Sequence, residues 1–234
     1  MKLPRVHVIS TGWKHATAGL CRDSVKRQVD VEVSHEYIEA SEQSPPRTKM
    51  QNLHEAIGRL APDAVVACLD GDDWLFHKRA LARVAQAHAE GMWVTYGSFV
   101  NSDGSPGFAR PYGEHEAYRS GEWRLTHLKT FRAGLFQRIK DEDLRYPSDA
   151  AGNVVAQAQA TEHRWIDRAD DPAFMYPIVE QAGRARVQYL RDILYVYSLA
   201  TAWHRTAPPQ HLEHEARIMG LTRARPPYAR IEAL

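Results

Sequence analysis

The sequence predicts an α/β protein, a single domain with a mainly parallel central sheet and helices on both faces. Three observations predict it. Short β-type runs alternate with stretches of helical periodicity, the pattern of a parallel sheet with crossover helices. Val65-Val66-Ala67-Cys68-Leu69 is apolar at every position, as a strand buried on both faces requires. With 234 residues, the chain is long enough to bury a sizeable core in one domain.

The elements follow in order. Val6, Val8 and Ile9 mark a first strand that ends at Ser10-Thr11-Gly12, a usual entry into a nucleotide-binding half. A helix is expected over 21–28 and a second strand from Val31. Ser44-Pro45-Pro46 is a break. Met50, Leu53, Ile57 and Leu60 then repeat at helical spacing up to Pro62, which cannot continue a helix. After the apolar strand, Leu81, Val84, Ala85 and His88 mark a helix that ends near Gly91, and 92–100 is strand-like. Residues 101–122 are rich in Gly, Pro, Ser and charge; a loop of this length in a compact domain is usually functional. Leu128, Phe131, Leu135 and Ile139 are spaced as a helix, followed by an irregular stretch over 140–152. Asp170-Asp171 precede a helix over 173–181, since acidic residues favour a helix start. Two late strands, 187–190 and 193–197, precede a tail from His204 that wraps the domain or is partly loose.

Composition narrows the function. Charged residues make up 25% and hydrophobic ones 44%, ordinary for a globular protein. A formal net charge of +1 gives no global attraction to nucleic acid or anionic membrane. No run approaches the roughly 20 apolar residues of a membrane span. The N-terminus has no apolar signal core. Cys21 and Cys68 are the only cysteines and read as reduced core residues, so a cytoplasmic location is expected.

The chemistry concentrates where the apolar strand stops, at Asp70-Gly71-Asp72-Asp73-Trp74-Leu75. Ligands of open α/β sheets bind at such strand ends. Asp70 and Asp72 flank a glycine and repel one another unless a cation lies between them. Hard oxygen ligands suit Mg²⁺ or Mn²⁺, ions that also hold phosphates. The plainer alternative is a polar turn that caps the next helix.

The order of these features resembles the GT-A glycosyltransferases, in particular the family 2-like group, whose fold is Rossmann-like. Four stretches carry the likeness: the opening strand to Thr11 with Cys21-Arg22-Asp23-Ser24-Val25; Lys49-Met50-Gln51-Asn52-Leu53; Leu69-Asp70-Gly71-Asp72-Asp73-Trp74-Leu75, which looks like the DXD motif; and Asp170-Asp171-Pro172-Ala173-Phe174-Met175 with the late strand behind it. The resemblance covers residues 1–203, with 204–234 as a tail packing on or extending that domain. It implies a nucleotide-sugar donor held at Thr11, Gly12, Lys49, Asn52, Asp70 and Gly71. It further implies Mn²⁺ or Mg²⁺ on Asp70 and Asp72, with His204 as a further ligand, and Asp171 as the base of an inverting transfer to an acceptor hydroxyl. The Asp-Asp-Gly-Ser pattern that often follows the second strand is absent: the chain reads Ser34-His35-Glu36-Tyr37-Ile38-Glu39. The nucleobase and donor sugar are therefore not specified.

The acceptor stays open: a glycan, a lipid-linked sugar, a protein side chain and a hydroxymethylated DNA base all suit the same core. Lys129, Arg132 and Arg138 on the expected helix, with Arg223, Arg225 and Arg230 in the tail, are either solvated or bind acceptor phosphates. Trp123 and Trp203 either pack or line the acceptor side. Alternatives are a haloacid dehalogenase-type phosphatase, whose pattern wants Thr or Val where Trp74 stands, and a non-catalytic nucleotide- or nucleic-acid-binding module. A nucleotidyltransferase would want a glycine-rich loop after the first strand, which Ser10-Thr11-Gly12-Trp13 does not supply.

Overall fold

The computed structural model describes residues 2–12, 17–39, 47–146, 165–202 and 208–234. The expected break at 44–46, Trp203 and His204 lie outside the described residues. The elements run β1 (Val6–Gly12), α1 (Ala18–Lys26), β2 (Val33–Glu39), α2 (Lys49–Gly58), β3 (Val65–Asp70), β4 (Trp74–Leu75) and α3 (Ala80–Ala89). They continue as β5 (Val94–Asn101), β6 (Lys129–Arg132), α4 (Ala133–Gln137), α5 (Asp170–Ala182), β7 (Val187–Tyr197) and α6 (Pro209–Ala224).

One seven-stranded sheet has the order β2-β1-β3-β6-β5-β7-β4. It is mixed. β1 pairs parallel with β2 and β3, and β5 with β7, while β6 runs antiparallel between β3 and β5, and β4 antiparallel to β7. Strand β3 is central: Val65 to Leu69 are at most 2% exposed. Its pleat sends successive side chains to opposite faces. Val66 and Cys68 join a core with Met50 and Leu53 of α2, Leu135 of α4 and Phe174 of α5. Val65, Ala67 and Leu69 join a second core with Val25 of α1 and Leu81 and Val84 of α3. The helices thus cover both faces, and each fully buried Val or Leu contributes about 2 kcal/mol of transfer free energy.

Two expectations are corrected. The helix expected through Leu128, Phe131, Leu135 and Ile139 is strand β6 followed by the short helix α4. Its apolar residues are all buried, so the spacing marked the core correctly but not the conformation. Lys129-Thr130-Phe131-Arg132 fills the slot between β3 and β5, where Thr130 Oγ1 meets Thr95 Oγ1 at 2.6 Å, and tertiary pairing outweighs local periodicity. The two late strands are one, β7, with a register irregularity opposite Ser98.

The tail packs on the domain. Helix α6 leads to a C-terminal segment in which Ile231 N donates to Gln181 O at 2.9 Å and Tyr228 Oη to Asp143 Oδ2 at 2.6 Å. Several cations considered for an acceptor are used internally. Arg132 donates to the carbonyls of Asp63 (2.6 Å) and His88 (3.1 Å), and Arg225 pairs with Asp143.

Candidate active site

The parallel strands β1 and β3 end level, with Thr11 opposite Asp70. Beyond them the backbones nearly touch: Gly71 N donates to Thr11 O at 2.9 Å. A Cβ on Gly71 would stand 2.9 Å from Gly12 Cα and 2.8 Å from Tyr37 Oη. Only glycine suits both positions. This contact fixes where β3 delivers Asp70.

Three other elements bring charge to the same point. Helix α2 starts at Lys49, and its N-cap Thr48 accepts from Gln51 N at 3.1 Å. Helix α5 starts at Asp170-Asp171, after Ala169 in the left-handed region, with Pro172 in the first turn, where its missing N–H leaves no gap. Strand β6 starts at Lys129, which is fully buried. Lys49 Nζ lies 2.8 Å from Asp70 Oδ1, 3.1 Å from Asp171 Oδ1 and 3.3 Å from Asp170 Oδ2. Lys129 Nζ donates to Asp171 Oδ2 and stands 3.3 Å from His127 Nδ1. Tyr195 Oη donates to Asp70 Oδ2 at 3.3 Å and to Asp73, which also accepts from Ser198 N at 2.7 Å. His127 stacks on Tyr195, with ring centroids 4.4 Å apart.

The electrostatics separate the two carboxylates of α5. Burial opposes ionisation of Asp171, but Lys129 and Lys49 outweigh it and hold its carboxyl well below the usual range. Asp70 is lowered in the same way, with Lys49 and Lys129 overcoming burial. Asp170 is raised: burial dominates, and Asp171 and Asp70 add repulsion that Lys49 does not cancel. Its Oδ2 is buried and receives no hydrogen bond, because the Lys49 ammonium lies out of line for one. Burial, followed by repulsion from Asp70 and Asp72, raises Asp73. Burial and Lys129 push His127 down to about 3, so its imidazole is neutral and accepts at Nδ1.

A cavity of about 550 Å³ opens over this cluster. Its floor is Lys49, Asp70, His127, Asp170 and Asp171; its walls include Phe108 and Trp123 from the long loop and Glu215 and Met219 from α6. The loop over 101–122 thus lines the site, as its length suggested.

The structure brings together Thr11, Gly12, Lys49, Asp70, Gly71 and Asp171. Asp72 sits half-exposed past the turn, and no described residue bonds its carboxylate. Asn52 is not part of this cavity. It is 4% exposed, accepts from Arg47 Nε at 3.1 Å, and lines a separate small cavity with Glu36 and Arg59. Sequence reasoning missed His127 and Tyr195, and it read Lys129 as solvated or as binding acceptor phosphates, not as a buried partner of Asp171.

No family model matches the chain, and no curated protein matches it in sequence. Solved structures do match in fold. S. aureus TarS 1–349 superposes with a TM-score of 0.57 at 14% identity, over 95% of this chain and 65% of that one. The mannosyltransferase PcManGT from Pyrobaculum calidifontis, in complex with GDP-Man and Mn²⁺, gives 0.55 at 14% identity, over 97% and 67%. TarS 1–349 in complex with UDP-GlcNAc gives 0.54 at 13% identity, over 95% and 66%. The fold is a GT-A-like glycosyltransferase fold. The chain spans about two thirds of those TarS fragments and 39% of a longer TarS chain. Within the GT-A-like frame, the charged cluster lies at the C-terminal edge of the parallel strands β1 and β3, the edge at which α/β sheets bind ligands.

Proposed function

We propose that the protein is a metal-dependent, inverting glycosyltransferase that moves a sugar from a nucleotide-sugar donor to an acceptor hydroxyl. The observation that carries this reading is the cluster of Lys49, Asp70, Asp170 and Asp171 at the end of β3, under a cavity large enough for a sugar nucleotide. Gly12 and Gly71, whose backbones approach without side chains, and Thr11, whose carbonyl accepts from Gly71 N, border the donor side. The catalytic domain is 1–203, with 204–234 as its C-terminal tail, of which the described part, 208–234, packs against it. Two free, buried cysteines and the absence, among the described residues, of a helix long and apolar enough to cross a membrane agree with a cytoplasmic setting.

Mg²⁺ and Mn²⁺ are commonly held by one or two carboxylates and completed by substrate phosphates and water. No three metal-binding side chains are grouped among the described residues. The donor set nevertheless fits an ion of that kind: Asp72 is half-exposed and bonded by no described residue, and Asp70 is two residues away. These two would hold the ion, with His204, outside the described residues, as a further candidate. When bound, the ion supplies charge neutralisation for the departing nucleoside diphosphate.

In the transfer, the acceptor oxygen attacks the anomeric carbon, the bond to the donor diphosphate breaks, and the acceptor proton passes to a carboxylate. Motif position favours Asp171 as that carboxylate; the geometry favours Asp170. Asp171 is hydrogen-bonded by two lysines, whereas Asp170 Oδ2 receives no hydrogen bond, with Lys49 Nζ at 3.3 Å, and its pKa is raised. We assign proton acceptance to Asp170, with Asp171 holding Lys49 and Lys129 in place. Melting curves with nucleoside diphosphates and nucleotide sugars, with and without Mn²⁺, test the overall reading. A ligand at about 100 times its Kd stabilises by about 2.7 kcal/mol. A metal-dependent rise in Tm with one nucleotide sugar is expected; no rise with any nucleotide, or release of phosphate from simple monoesters, would overturn it.

A further inference from the structure

A second cavity, of about 590 Å³, lies outside the machinery above. Its walls are residues 114–120 of the long loop, the end of α5 and the end of α6. Four arginines line it: Arg119, Arg184, Arg223 and Arg225. Two are neutralised. Arg119 clasps Glu180 through Nε (2.6 Å) and Nη2 (2.9 Å), and Arg225 Nε lies 3.3 Å from Asp143 Oδ1. Arg184 and Arg223 have no ion-pair partner among the described residues. The Arg184 guanidinium lies 3.9 Å over the ring of Tyr118, and Arg223 Nε donates to Tyr176 Oη at 3.3 Å. Of the nearby acids, Glu116 is committed to Arg124 and to Gly113 N, and Glu114 sits on the exposed rim.

A second observation points the same way. Tyr118 is 9% exposed and lines this cavity, and the only described group that reaches its buried hydroxyl is the Arg184 guanidinium stacked over its ring, which holds that guanidinium at the recess. Two guanidinium forks without an ion-pair partner among the described residues, in one recess, form a receptor for an oxyanion.

The two cavities are linked through the buried Tyr176. Trp123, in the first, packs edge-on against Tyr176 at 5.3 Å, and Arg223 holds the hydroxyl of that tyrosine. Along α6, Glu215 and Met219 line the first cavity, and Arg223, four residues on, lines the second. The helical rise places Arg223 about 6 Å past Met219 on the same face. We propose that the recess at Arg184 and Arg223 is an acceptor subsite for an oxyanion, a phosphate or carboxylate borne by the acceptor beside the hydroxyl that receives the sugar. This rests on the glycosyltransferase reading, because it assigns the acceptor class.

The test has two arms, both on the full chain. In the first, inorganic phosphate is titrated at ionic strength held constant with chloride, and the arginine Nε–Hε NMR signals are followed, with Arg184→Met and Arg223→Met supplying assignments. Both signals are expected to shift saturably with phosphate; no shift, or the same response to chloride, overturns the site. In the second, transfer is compared between glycans matched except for one phosphate or carboxylate. A preference of about tenfold or more for the anionic member is expected, as charge-assisted bonds support, and the double variant loses it. Equal use of charged and neutral acceptors overturns the acceptor assignment even if free phosphate binds. Failure of the wild type to bind any nucleoside diphosphate would instead remove the transferase reading, which the phosphate titration does not depend on.

Discussion

At the scale of single residues, the pair Asp170 and Asp171 shows how neighbouring carboxylates acquire different duties. Lys129 is 1% exposed as a side chain, and Asp171 is its only ion-pair partner among the described residues. Asp171→Asn would break this buried ion pair and leave the ammonium only the more distant Asp70 and Asp170, which costs about 3 kcal/mol. We expect the Tm of that variant to fall by several degrees, and the double change Asp171→Asn with Lys129→Met to recover part of the loss, a coupling read from the four-variant cycle. Asp170→Asn should keep its Tm and its affinity for donor while transfer falls by roughly 10²–10⁴-fold, the usual share of a general base. Normal turnover in Asp170→Asn would return the role to Asp171. Asp72→Asn should remove the Mn²⁺-dependent part of nucleotide binding; unchanged affinity in Mn²⁺ would remove Asp72 as a ligand. Asp70, Asp72 and the α5 pair were legible in the sequence because each stands at the sharp end of an apolar run or a helix. The burial of Lys129, read there as solvated or acceptor-binding, was not, because it depends on Asp171, 42 residues away. Asn52 misled because a helix start near a site offers two faces, and its side chain lies on the other one.

Among the elements, the meeting of β1 and β3 carries the strictest local constraint. Gly71→Ala would press a Cβ to 2.8 Å from Tyr37 Oη, 2.9 Å from Gly12 Cα and 3.0 Å from Thr11 O. Backbone atoms on two sides cannot yield as a flexible side chain can, so a loss of about 1–3 kcal/mol is expected. Gly19→Ala is the control, since nothing lies within 4 Å of its added carbon, and in α1 the exchange should be neutral to mildly stabilising. Denaturant midpoints at unchanged m compare the two; equal stability of both variants would show that the turn relaxes. The elements that the sequence displayed best are those whose partners are local or whose burial is complete on one period: β1, α2, β3, α3 and α5. The mistaken helix at 128–139 had the right residues in the core and the wrong backbone. An antiparallel strand inserted between β3 and β5 is decided by the neighbours it finds, not by its own spacing.

Across the whole molecule, the two cores on either side of the sheet are joined at a polar seam that makes folding sensitive to acid. His88 of α3 is 1% exposed, and its Nε2 meets Thr130 Oγ1 of β6 at 2.9 Å, which in turn meets Thr95 Oγ1 of β5. Burial, followed by repulsion from Arg132, lowers its pKa from 6.5 to about 3. Between those values the unfolded chain binds a proton that the native chain refuses, so stability rises with pH through this window. The contribution is complete above about pH 6.5 and is lost as pH falls toward 3. From pH 7 to pH 5 one such group removes about 2 kcal/mol, since each unit is worth about 1.4 kcal/mol. His127 acts in the same direction, so the wild type should lose stability steeply on mild acidification. His88→Gln keeps a polar group beside Thr130 but cannot titrate. Its unfolding free energy should fall about 2 kcal/mol less than the wild type's between pH 7 and pH 5, measured by denaturant titration at both. Parallel losses in the two proteins would mean that His88 gains a proton without unfolding, through a local opening of α3 from β6.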